Sequence, residues 1–438
     1  MKFRQFIIFV AATALLGGCE ADHRNDNLPD SVVYLLENNL QTAVFYDVEQ
    51  TSDYTFRAFG GGYAVTPARL GIEVSDAVLA AYNEANGTAY TALDPACYRL
   101  VDSEGSVDAD HPSTTFTVRL DCEQLKQIGD LSSCVIPLHL TSSASEVNEK
   151  LGSILINPSM SETRVLAKNA GVEECDLGSS STLDFTAFIE FDNKWETTTE
   201  YEWGDAVLDA YNAAHGTNYL PIPADAVVFT PAQFEPGSRE AVSRIAIDKT
   251  KLTPDRFHTL AVRLKSNSEF KIGENNTVVY HIAVNPLFTD RSKWLLTACS
   301  SWYTGRGPEL TVDGKASTRY ENRYNNNGEG DIKTLPVTIE WDLSKVCHYA
   351  GMKLTRRSDN YVTDLKAGWI EMSDDGQNWI PAQFFDFGDK SHKEVVGDFR
   401  SERWLGTGRY LRLKLTESNR TNLVSICEFE PVLIEAGE

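Results

Sequence analysis

Basic residues are scarce in this chain. Over 438 residues, 40 lysines and arginines stand against 63 aspartates and glutamates, which gives a formal net charge of −23 at pH 7. Binding to nucleic acid requires clustered positive side chains that neutralise phosphates. The deficit therefore argues against a nucleic-acid partner, and we attribute the acidity to solubility in a crowded exterior.

Cysteine and histidine are also rare, with eight of each. Seven cysteines follow Cys19, so at least one thiol is free and the disulfide pairing stays open. The sequence has neither a Cys-x-x-Cys pair nor a Cys/His cluster, which argues against zinc. We expect most of the thiols to be small core residues.

The apolar run near the N-terminus, Phe6–Leu16, is too short to span a bilayer as a stable anchor. Lys2 and Arg4 precede it, and Leu16-Gly17-Gly18-Cys19 ends it. This stretch resembles a bacterial lipobox, which implies a signal peptide over residues 1–18 and lipidation of Cys19. We expect residues 19–30 to be a lipidated tether at the outer membrane. Glu20-Ala21-Asp22 resembles the surface-export signal of Bacteroidota lipoproteins, although a plain solvated tether explains it equally well.

One segment occurs twice at a constant offset of 129 residues: DAVLAAYNEANGTAY at 76–90 and DAVLDAYNAAHGTNY at 205–219. Apolar residues recur in both copies at helical spacing. Asp76 and Asp205 are expected N-caps, and Gly87 and Gly216 are expected to end the helices in the left-handed conformation. Each copy therefore predicts one short amphipathic helix.

The segments around each helix alternate as strands do, for example Thr115–Leu120 and Thr259–Leu264. We predict two β-sandwich domains, at 31–159 and 160–288, each with one short helix. The repeat resembles the tandem domain of unknown function at the N-terminus of surface lipoproteins from glycan-utilisation loci of Bacteroidota. That resemblance implies spacers that hold a C-terminal module away from the membrane.

The last third of the chain differs, since six of the eight tryptophans follow residue 290. Its motifs occur in a recognisable order: Ala298-Cys299-Ser300-Ser301, Val312-Asp313-Gly314-Lys315, Pro336 to Leu343, Lys353 to Arg356, Ser373-Asp374-Asp375-Gly376 with Trp379, Gly408 to Leu413, and Ile426 to Phe429. The series resembles the coagulation factor V/VIII type C, or discoidin, domain, whose bacterial members include carbohydrate-binding module family 32. The resemblance implies an eight-stranded jelly-roll sandwich over 289–438, which makes the whole chain an all-β multidomain protein.

The discoidin resemblance also implies a structural calcium site, because many sugar-binding members hold one calcium ion. The matching positions are Asp313, Lys315, Thr318 and Glu428. Oxygen ligands of this kind suit calcium, which takes six to eight of them. Lys315 stands where the family often has Asp or Asn, so its backbone carbonyl is the expected ligand there, and a capped turn without metal is the alternative.

Ligand binding in that family uses loops at one end of the sandwich, where a sugar needs an aromatic plane and planar hydrogen-bonding groups. The candidates are Trp302, Tyr303, Glu321, Asn322, Arg323, Tyr324, Arg356, Arg357, Asp359, Asn360, Tyr361 and Trp404. Tyr320 matches a family aromatic that is largely structural. Each aromatic has packing as its alternative role, and Arg356 has pairing with local acids.

The sequence thus predicts a non-catalytic, lipid-anchored surface protein that binds carbohydrate through its C-terminal loops and supports glycan capture for uptake. A neighbouring outer-membrane glycan transporter is a possible partner. Adhesion to a host or partner protein is the alternative. An enzyme or glycosidase accessory is a weaker one, since the three modules leave no room for a (β/α)₈ barrel and no nucleophile elbow, HExxH or phosphate loop is present.

Overall fold

A computed structural model describes residues 31–178 and 180–437. The predicted signal peptide, Cys19 and the tether lie outside the described residues. The chain divides into two compact units, one ending at Thr163 and the other beginning at Arg164. No helix within the described ranges is both long enough and apolar enough to cross a bilayer.

The first unit is a sandwich of two sheets. Its strands are β1 Val32–Leu35, β2 Asn39–Tyr46, β3 Thr51–Gly61, β4 Ala68–Val74, β5 Thr91–Ala92, β6 Tyr98–Asp102, β7 Glu104–Val107, β8 Ser113–Asp121, β9 Cys134–Ser142, β10 Glu146–Val147 and β11 Ser153–Ser161. One sheet has the order β10-β1-β3-β8-β6, and the other has the order β2-β11-β9-β4-β7, with β5 paired to β9. Buried side chains of both sheets, such as Phe56 and Phe116 from one and Phe45 and Leu138 from the other, form its core.

Two helices belong to this unit, α1 Asp76–Asn86 and α2 Cys122–Ile128. The predicted helix is α1, and it packs through Val78, Leu79 and Tyr82 against buried residues of β9 and β11. The N-cap of α1 is Ser75, whose hydroxyl accepts a hydrogen bond from the amide of Val78, so the predicted cap at Asp76 is wrong by one residue. The second helix, α2, is an addition to the single helix predicted.

The second repeat opens the second unit. Its elements are β12 Arg164–Ala167, β13 Gly171–Asp176, β14 Thr182–Phe188, β15 Thr199–Trp203, α3 Asp205–His215, β16 Val227–Thr230, β17 Glu240–Ile247, β18 His258–Asn267, β19 Lys271–Ile272 and β20 Thr277–Ala283. The two sheets have the orders β16-β17-β14-β12-β19 and β13-β20-β18-β15. Strand β17 alternates exposed and buried residues, as expected for a strand with one face on the core.

Helix α3 is the repeat of α1, with the same bounds after the offset of 129 residues. Its N-cap is Gly204 and not Asp205, and no side chain caps it. Gly87 and Gly216 end the two helices in the left-handed region, with φ of 64° and 66°, which confirms the predicted C-termini.

An asparagine explains why the polar part of the repeated segment recurs. Asn83 donates through Nδ2 to the carbonyl of Tyr90 and accepts through Oδ1 from the Thr88 hydroxyl and the Tyr90 amide. Asn212 makes the same three hydrogen bonds with Thr217 and Tyr219. Each asparagine therefore fixes the chain that leaves its helix, and the segment is a structural one.

The C-terminal third contains the remaining strands. They are β21 Leu295–Cys299, β22 Ser301–Trp302, β23 Tyr320–Glu321, β24 Glu329–Gly330, β25 Val337–Thr355, β26 Leu365–Ser373, β27 Ile380–Asp386, β28 Val396–Asp398, β29 Gly406–Ser418, β30 Ser425–Ile426 and β31 Glu428–Glu435. Seven of them join antiparallel in the order β21-β25-β29-β26-β27, with β28 and β31 also paired to β25. The pairs β22–β24 and β23–β30 lie apart from this sheet.

The long strand β25 pairs with four other strands, β21, β28, β29 and β31. Its pairing with β29 shifts register between Asp342 and Cys347, and its pairing with β31 shifts between Tyr349 and Met352. β25 thus pairs with β29 through residues 337–349 and with β31 and β28 through its later residues. The sheet has seven strands, against the eight that the discoidin resemblance implies.

Apolar side chains join the second repeat to the C-terminal domain within the second unit. Phe257, Ala283, Ala350 and Ile434 form a buried cluster, and Trp404 packs on it. The amide of Phe257 donates to the carbonyl of Glu402 over 2.9 Å. The amide of Phe288 donates to the carbonyl of Leu433 over 2.8 Å. These two domains therefore share a packed, hydrogen-bonded boundary.

The seven cysteines after Cys19 are all free thiols. Cys97, Cys122, Cys347 and Cys427 are buried, which agrees with the expectation of small core residues. Burial raises the pKa of Cys122 and of Cys347 to about 12, so both thiols are protonated at neutral pH.

Candidate functional site

A cavity of about 280 Å³ opens at one end of the C-terminal domain. The segments that surround it are the loop after β22, the strand β23 with its flanks, the loop between β25 and β26, and the loop between β29 and β30. We name it the loop-end cavity, and its walls are Arg306, Arg319, Glu321, Asn322, Tyr324, Arg357, Tyr361, Asp364, Arg420, Leu423 and Val424. The discoidin resemblance predicted ligand binding by loops at one end of the sandwich.

Five of the residues predicted to bind ligand line this cavity: Glu321, Asn322, Tyr324, Arg357 and Tyr361. They come from two segments that are separated along the chain, 321–324 and 357–361. Strand β23 holds the first segment by pairing with β30, and the second segment follows the end of β25. The fold therefore brings the residues of these two segments into one cavity, whereas the sequence showed only that each segment is a loop with suitable side chains.

The carboxylate of Glu321 is the centre of the site. Its Oε1 accepts from Nε of Arg319 over 2.6 Å and from Nη1 of Arg357 over 2.9 Å. Its Oε2 accepts from the guanidinium of Arg306. Glu321 is buried, so three guanidinium groups offset the cost of burying one carboxylate.

A second buried carboxylate, Asp364, lies beside the first. Arg420 donates to its Oδ2 over 3.2 Å, and Nη1 of Arg357 lies 3.7 Å from the same oxygen. Burial raises the pKa of Asp364, and the two guanidinium groups counteract part of that shift. Arg357 also donates to the exposed Asp359, which places that predicted residue next to the wall without making it part of the wall.

Aromatic rings flank the loop-end cavity. Tyr303 and Tyr324 stack almost parallel, with ring centroids 4.5 Å apart and an angle of 10° between the planes. On another wall the guanidinium of Arg420 lies 3.7 Å and that of Arg357 lies 4.8 Å from the centre of the Tyr361 ring. Cation–π contacts of this kind fix the orientation of both partners.

Two predicted polar residues support the loops. The Oδ1 of Asn322 accepts from the amide of Val424 and its Nδ2 donates to the carbonyl of Asn422, both over 2.9 Å. Arg323 donates to the carbonyls of Asn325 and Gly330 and so holds its own loop closed. Asn322 joins two walls of the loop-end cavity, whereas Arg323 does not line it.

Arg356 is a structural residue, which corrects its prediction as a ligand-binding one. It is 1% exposed, and its guanidinium donates to the backbone carbonyls of Leu365, His392 and Glu394. The ring of Phe387 lies 4.1 Å below it. The guanidinium of Arg356 therefore forms its hydrogen bonds inside the domain. The next residue, Arg357, lines the cavity.

Trp404 is also not part of the site. Its indole N–H donates to the carbonyl of Pro254, and its ring meets that of Phe257 edge-on at 4.9 Å. Both partners belong to the second repeat. The loop that carries Trp404, a predicted ligand-binding residue, is thus a contact between two domains, because an apolar boundary uses a large aromatic side chain as readily as a sugar site does.

Of the other predicted aromatics, Trp302 packs partly buried against the core of the C-terminal domain and lies outside the cavity walls. Tyr303 reaches the site through its stack with Tyr324. Asn360 is exposed between Asp359 and Tyr361. Tyr320 is fully buried and donates its hydroxyl to the carbonyl of Ser301 over 2.5 Å, which confirms its structural role.

The residues implied for calcium lie together. The Thr318 hydroxyl is 2.8 Å from Oδ2 of Asp313 and 2.8 Å from the carbonyl of Lys315. These three oxygens converge on one loop, but calcium requires six to eight. No group of three or more His, Cys, Asp or Glu side chains suited to a metal occurs among residues 31–178 and 180–437.

The fourth residue of that set, Glu428, already holds a cation. The guanidinium of Arg291 pairs with its carboxylate, and the amides of Gly314 and Lys315 donate to it over 3.3 Å and 3.1 Å. Amide N–H groups and a guanidinium repel a metal ion and cannot coordinate it. The four residues therefore do not fit calcium in this arrangement, and calcium binding stays a prediction of the sequence.

The sequence reasoning missed Arg306, Arg319, Asp364 and Arg420, all of which line the cavity. Arg420 lies in the polar stretch Ser418-Asn419-Arg420-Thr421-Asn422, whose composition is typical of a loop. That composition could have added a further loop to the predicted set.

The chain was compared with known families and structures. A family model described as an N-terminal domain matches residues 28–147 and again residues 154–271, and the F5/8 type C domain model matches residues 296–429. A search of curated proteins returned no match.

Several solved structures are similar to parts of the chain. The C-terminal domain of a chitobiase from Bacteroides fragilis is 17% identical, with 35% of this chain and 100% of that one covered and a TM-score of 0.29. The family 32 carbohydrate-binding module of Clostridium perfringens NanJ, in complex with galactose, is 14% identical over 34% of this chain and 99% of that one, with a TM-score of 0.28. A two-domain protein of unknown function from Bacteroides fragilis is 12% identical over 62% of this chain and 94% of that one, with a TM-score of 0.27.

Proposed function

The chain belongs to the family defined by this N-terminal domain, which it carries twice before an F5/8 type C domain, and from that premise we propose that it binds carbohydrate in the loop-end cavity. The proposal covers binding without catalysis. The observation that carries it is the combination, in the walls of one cavity, of Tyr324, which stacks on Tyr303, with several planar hydrogen-bonding groups.

The chemistry of the walls suits a sugar. A sugar ring has apolar C–H faces that pack on an aromatic plane and a rim of hydroxyls that need donors and acceptors. Tyr324 supplies the plane, since Tyr303 braces its ring from the other side. The volume of about 280 Å³ lies near the lower end of the range for small-molecule sites, which suits a terminal sugar residue.

The same walls support binding without catalysis. A glycosidase requires one carboxylic acid to protonate the leaving group and one carboxylate as base or nucleophile, on either side of the scissile bond. In the loop-end cavity both oxygens of Glu321 accept from guanidinium groups, and Asp364 is buried against Arg420 and against Arg357, which it shares with Glu321. Neither acid is free to carry out proton transfer to a sugar.

We also place the protein at the outer membrane, facing the exterior, with Cys19 lipidated and the two repeats as spacers. The support is the sequence Leu16-Gly17-Gly18-Cys19 and the structural character of the repeated segment. Glycan capture next to an outer-membrane transporter would follow from that position. Metabolic labelling of cells with an alkyne-bearing palmitate tests the anchor, because a Cys19→Ala variant should lose the label and leave the membrane fraction.

Binding is tested on a glycan array with the chain from residue 20 onward. We expect a defined set of related glycans to bind, and Tyr324→Ala to lose them, because the variant removes the aromatic plane. Trp369→Ala is the matched control, since that ring is exposed on β26 and does not line the cavity. Silence across a broad array, or equal loss in both variants, would contradict the proposal.

Adhesion to a protein is the competing reading, and the same variants separate the two. If the chain bound deglycosylated cell-surface protein as well as untreated protein, and Tyr324→Ala did not weaken the contact, the cavity would not be a sugar site.

A further inference from the structure

The loop-end cavity has a sign of charge opposite to that of the chain. Four guanidinium groups line it, from Arg306, Arg319, Arg357 and Arg420, against the two carboxylates of Glu321 and Asp364. Four positive charges minus two negative ones leave a formal excess of two. Asp359, which pairs with Arg357 from outside the wall, reduces the excess to one. The chain as a whole has a formal charge of −23, so this local excess is not a reflection of composition.

Most of the donors on these arginines are unused. A guanidinium carries five N–H groups. Arg306, Arg319 and Arg420 each donate to a carboxylate through a single nitrogen atom. All three residues line the cavity, and their side chains are partly exposed. A group with several acceptor oxygens in one plane matches such donors best, since the guanidinium fork pairs with two oxygens at once.

One donor is buried without a partner. Arg357 is 8% exposed and lines the cavity, and its Nε–H has no hydrogen-bond partner in the described part of the chain. A buried donor that is left unsatisfied is costly, and native structures rarely tolerate one without a reason. Because this nitrogen is enclosed by protein, Arg357 contributes positive charge to the cavity and not a donor that a ligand can reach.

Acceptors for a neutral sugar are in short supply. Hydroxyl groups on a sugar both donate and accept, so a neutral sugar is best held by walls that offer both roles. Here both carboxylate oxygens of Glu321 already accept from guanidinium groups, and Oδ2 of Asp364 accepts from Arg420. What the walls offer in excess is positive charge and N–H groups.

Resting on the proposed function, we propose that the loop-end cavity selects sugars that carry an anionic substituent, either a carboxylate or a sulfate ester. The sugar ring lies against Tyr324, and the anionic group meets the unused N–H groups of the arginines. Both substituents present several acceptor oxygens with a delocalised negative charge, which is the chemistry that the walls recognise. The experiment has separate arms for the two.

The first arm compares polygalacturonic acid with its fully methyl-esterified form by calorimetric titration of the chain from residue 20 onward. The two polymers differ in charge and hardly in shape. The second arm compares chondroitin sulfate with unsulfated chondroitin. We expect the charged member of at least one pair to bind about tenfold or more tighter, because each charge-assisted hydrogen bond contributes strongly. We expect the advantage to shrink when sodium chloride is raised from 50 mM to 500 mM.

Two variants tie the preference to the cavity. Arg420→Met should reduce the preference for the charged probe over its neutral partner by about tenfold. Arg306→Met serves as a second variant if Arg420→Met fails to fold by circular dichroism. Lys390→Met, which removes an exposed cation of the same domain outside the cavity, should change nothing.

The outcomes separate this inference from the proposed function. Neutral glycans that bind on the array while neither charged probe is preferred would overturn the anionic selectivity and leave carbohydrate binding intact. Silence of the array and of both charged polymers would overturn both. A charged preference that survives both arginine variants would move the anionic site away from this cavity and overturn the assignment.

Discussion

Nη1 of Arg357 donates to Oε1 of Glu321 over 2.9 Å, and both residues are more than nine-tenths buried. The pair joins the loop after β25 to strand β23 at the base of the loop-end cavity. A buried ion pair of this kind contributes little net stability compared with apolar packing, but breaking it leaves a charge without its partner. Its value is the fixed position that it gives to the cavity walls.

Glu321→Gln should therefore destabilise the C-terminal domain strongly. The variant leaves the guanidinium of Arg357 buried with weaker acceptors, at an expected cost of about 3 kcal/mol. Chemical denaturation followed by tryptophan fluorescence checks this, because six of the eight tryptophans follow residue 290. Glu417→Gln is the control, since its ion pair with Lys366 is largely exposed and should be worth less than about 1 kcal/mol. Similar losses in the two variants would contradict the role of Glu321.

Arg291 is expected to replace a metal ion at Glu428. Addition of calcium or of chelator should shift the thermal midpoint of the chain by less than about 1 °C, because the carboxylate is already paired. Arg291→Met should lower the stability by about 3 kcal/mol, since Glu428 stays buried without its cation. A rise of several degrees in calcium would show that the ion displaces Arg291 and would confirm the prediction from sequence.

Trp404→Ala should weaken the boundary between the second repeat and the C-terminal domain and leave carbohydrate binding unchanged. The substitution removes the contact with Phe257 and the hydrogen bond to the Pro254 carbonyl. For a half-buried tryptophan we expect a loss of about 2 kcal/mol in unfolding free energy, measured by calorimetry. A loss of binding with unchanged stability would place Trp404 in the ligand site instead.

Asn83→Ala and Asn212→Ala should each act on one repeat alone. Each variant deletes three hydrogen bonds at the end of a helix, which we expect to cost about 2 kcal/mol locally. Hydrogen exchange read by mass spectrometry should show lost protection at 76–90 for the first variant and at 205–219 for the second. Glu84→Ala, which gives the first repeat the residue of the second at that position, should leave protection unchanged.

Asp342 contributes to the stability of the C-terminal domain in a way that depends on pH. The guanidinium of Arg409 hydrogen-bonds this carboxylate and holds its pKa below the usual value of 3.8. A lowered pKa in the folded state means that the stabilisation is present above about pH 4 and is lost as the pH falls through the folded value. The stability gap between the native chain and Asp342→Asn should be constant from pH 7 to pH 5 and close below pH 4.

The helices illustrate what the sequence could predict. The recurrence of eleven identical residues at one offset located α1 and α3 and their glycine ends. Both predicted N-caps were wrong by one residue. Ser75 and Asp76 can both cap a helix, and the sequence does not say which one does so. In the second helix the N-cap is Gly204, which has no side chain that could have indicated a cap. Helix α2 was missed because seven residues are too few to show a period, and the second repeat has only a short 3-10 turn, Lys249–Lys251, in the corresponding region.

The sequence could predict which loops form the site, but not which of their side chains line the cavity. Glu321, Tyr324 and Tyr361 were found because polar and aromatic residues cluster in two loops. Arg356 and Arg357 could not be told apart, since consecutive residues in extended chain point to opposite sides and nothing in the sequence says which side faces the cavity. Arg420 reaches Asp364 across 56 residues of chain, a contact that no local pattern encodes.

The contact around Phe257 and Trp404 bears on how the binding module can be handled in isolation. A fragment cut at residue 289 would lose the hydrogen bond from Phe257 to Glu402 and uncover Ala350 and Ile434. Newly bared apolar surface of that kind promotes self-association. A piece that begins at Arg164 keeps this boundary, because the second repeat covers that apolar surface of the module that follows it.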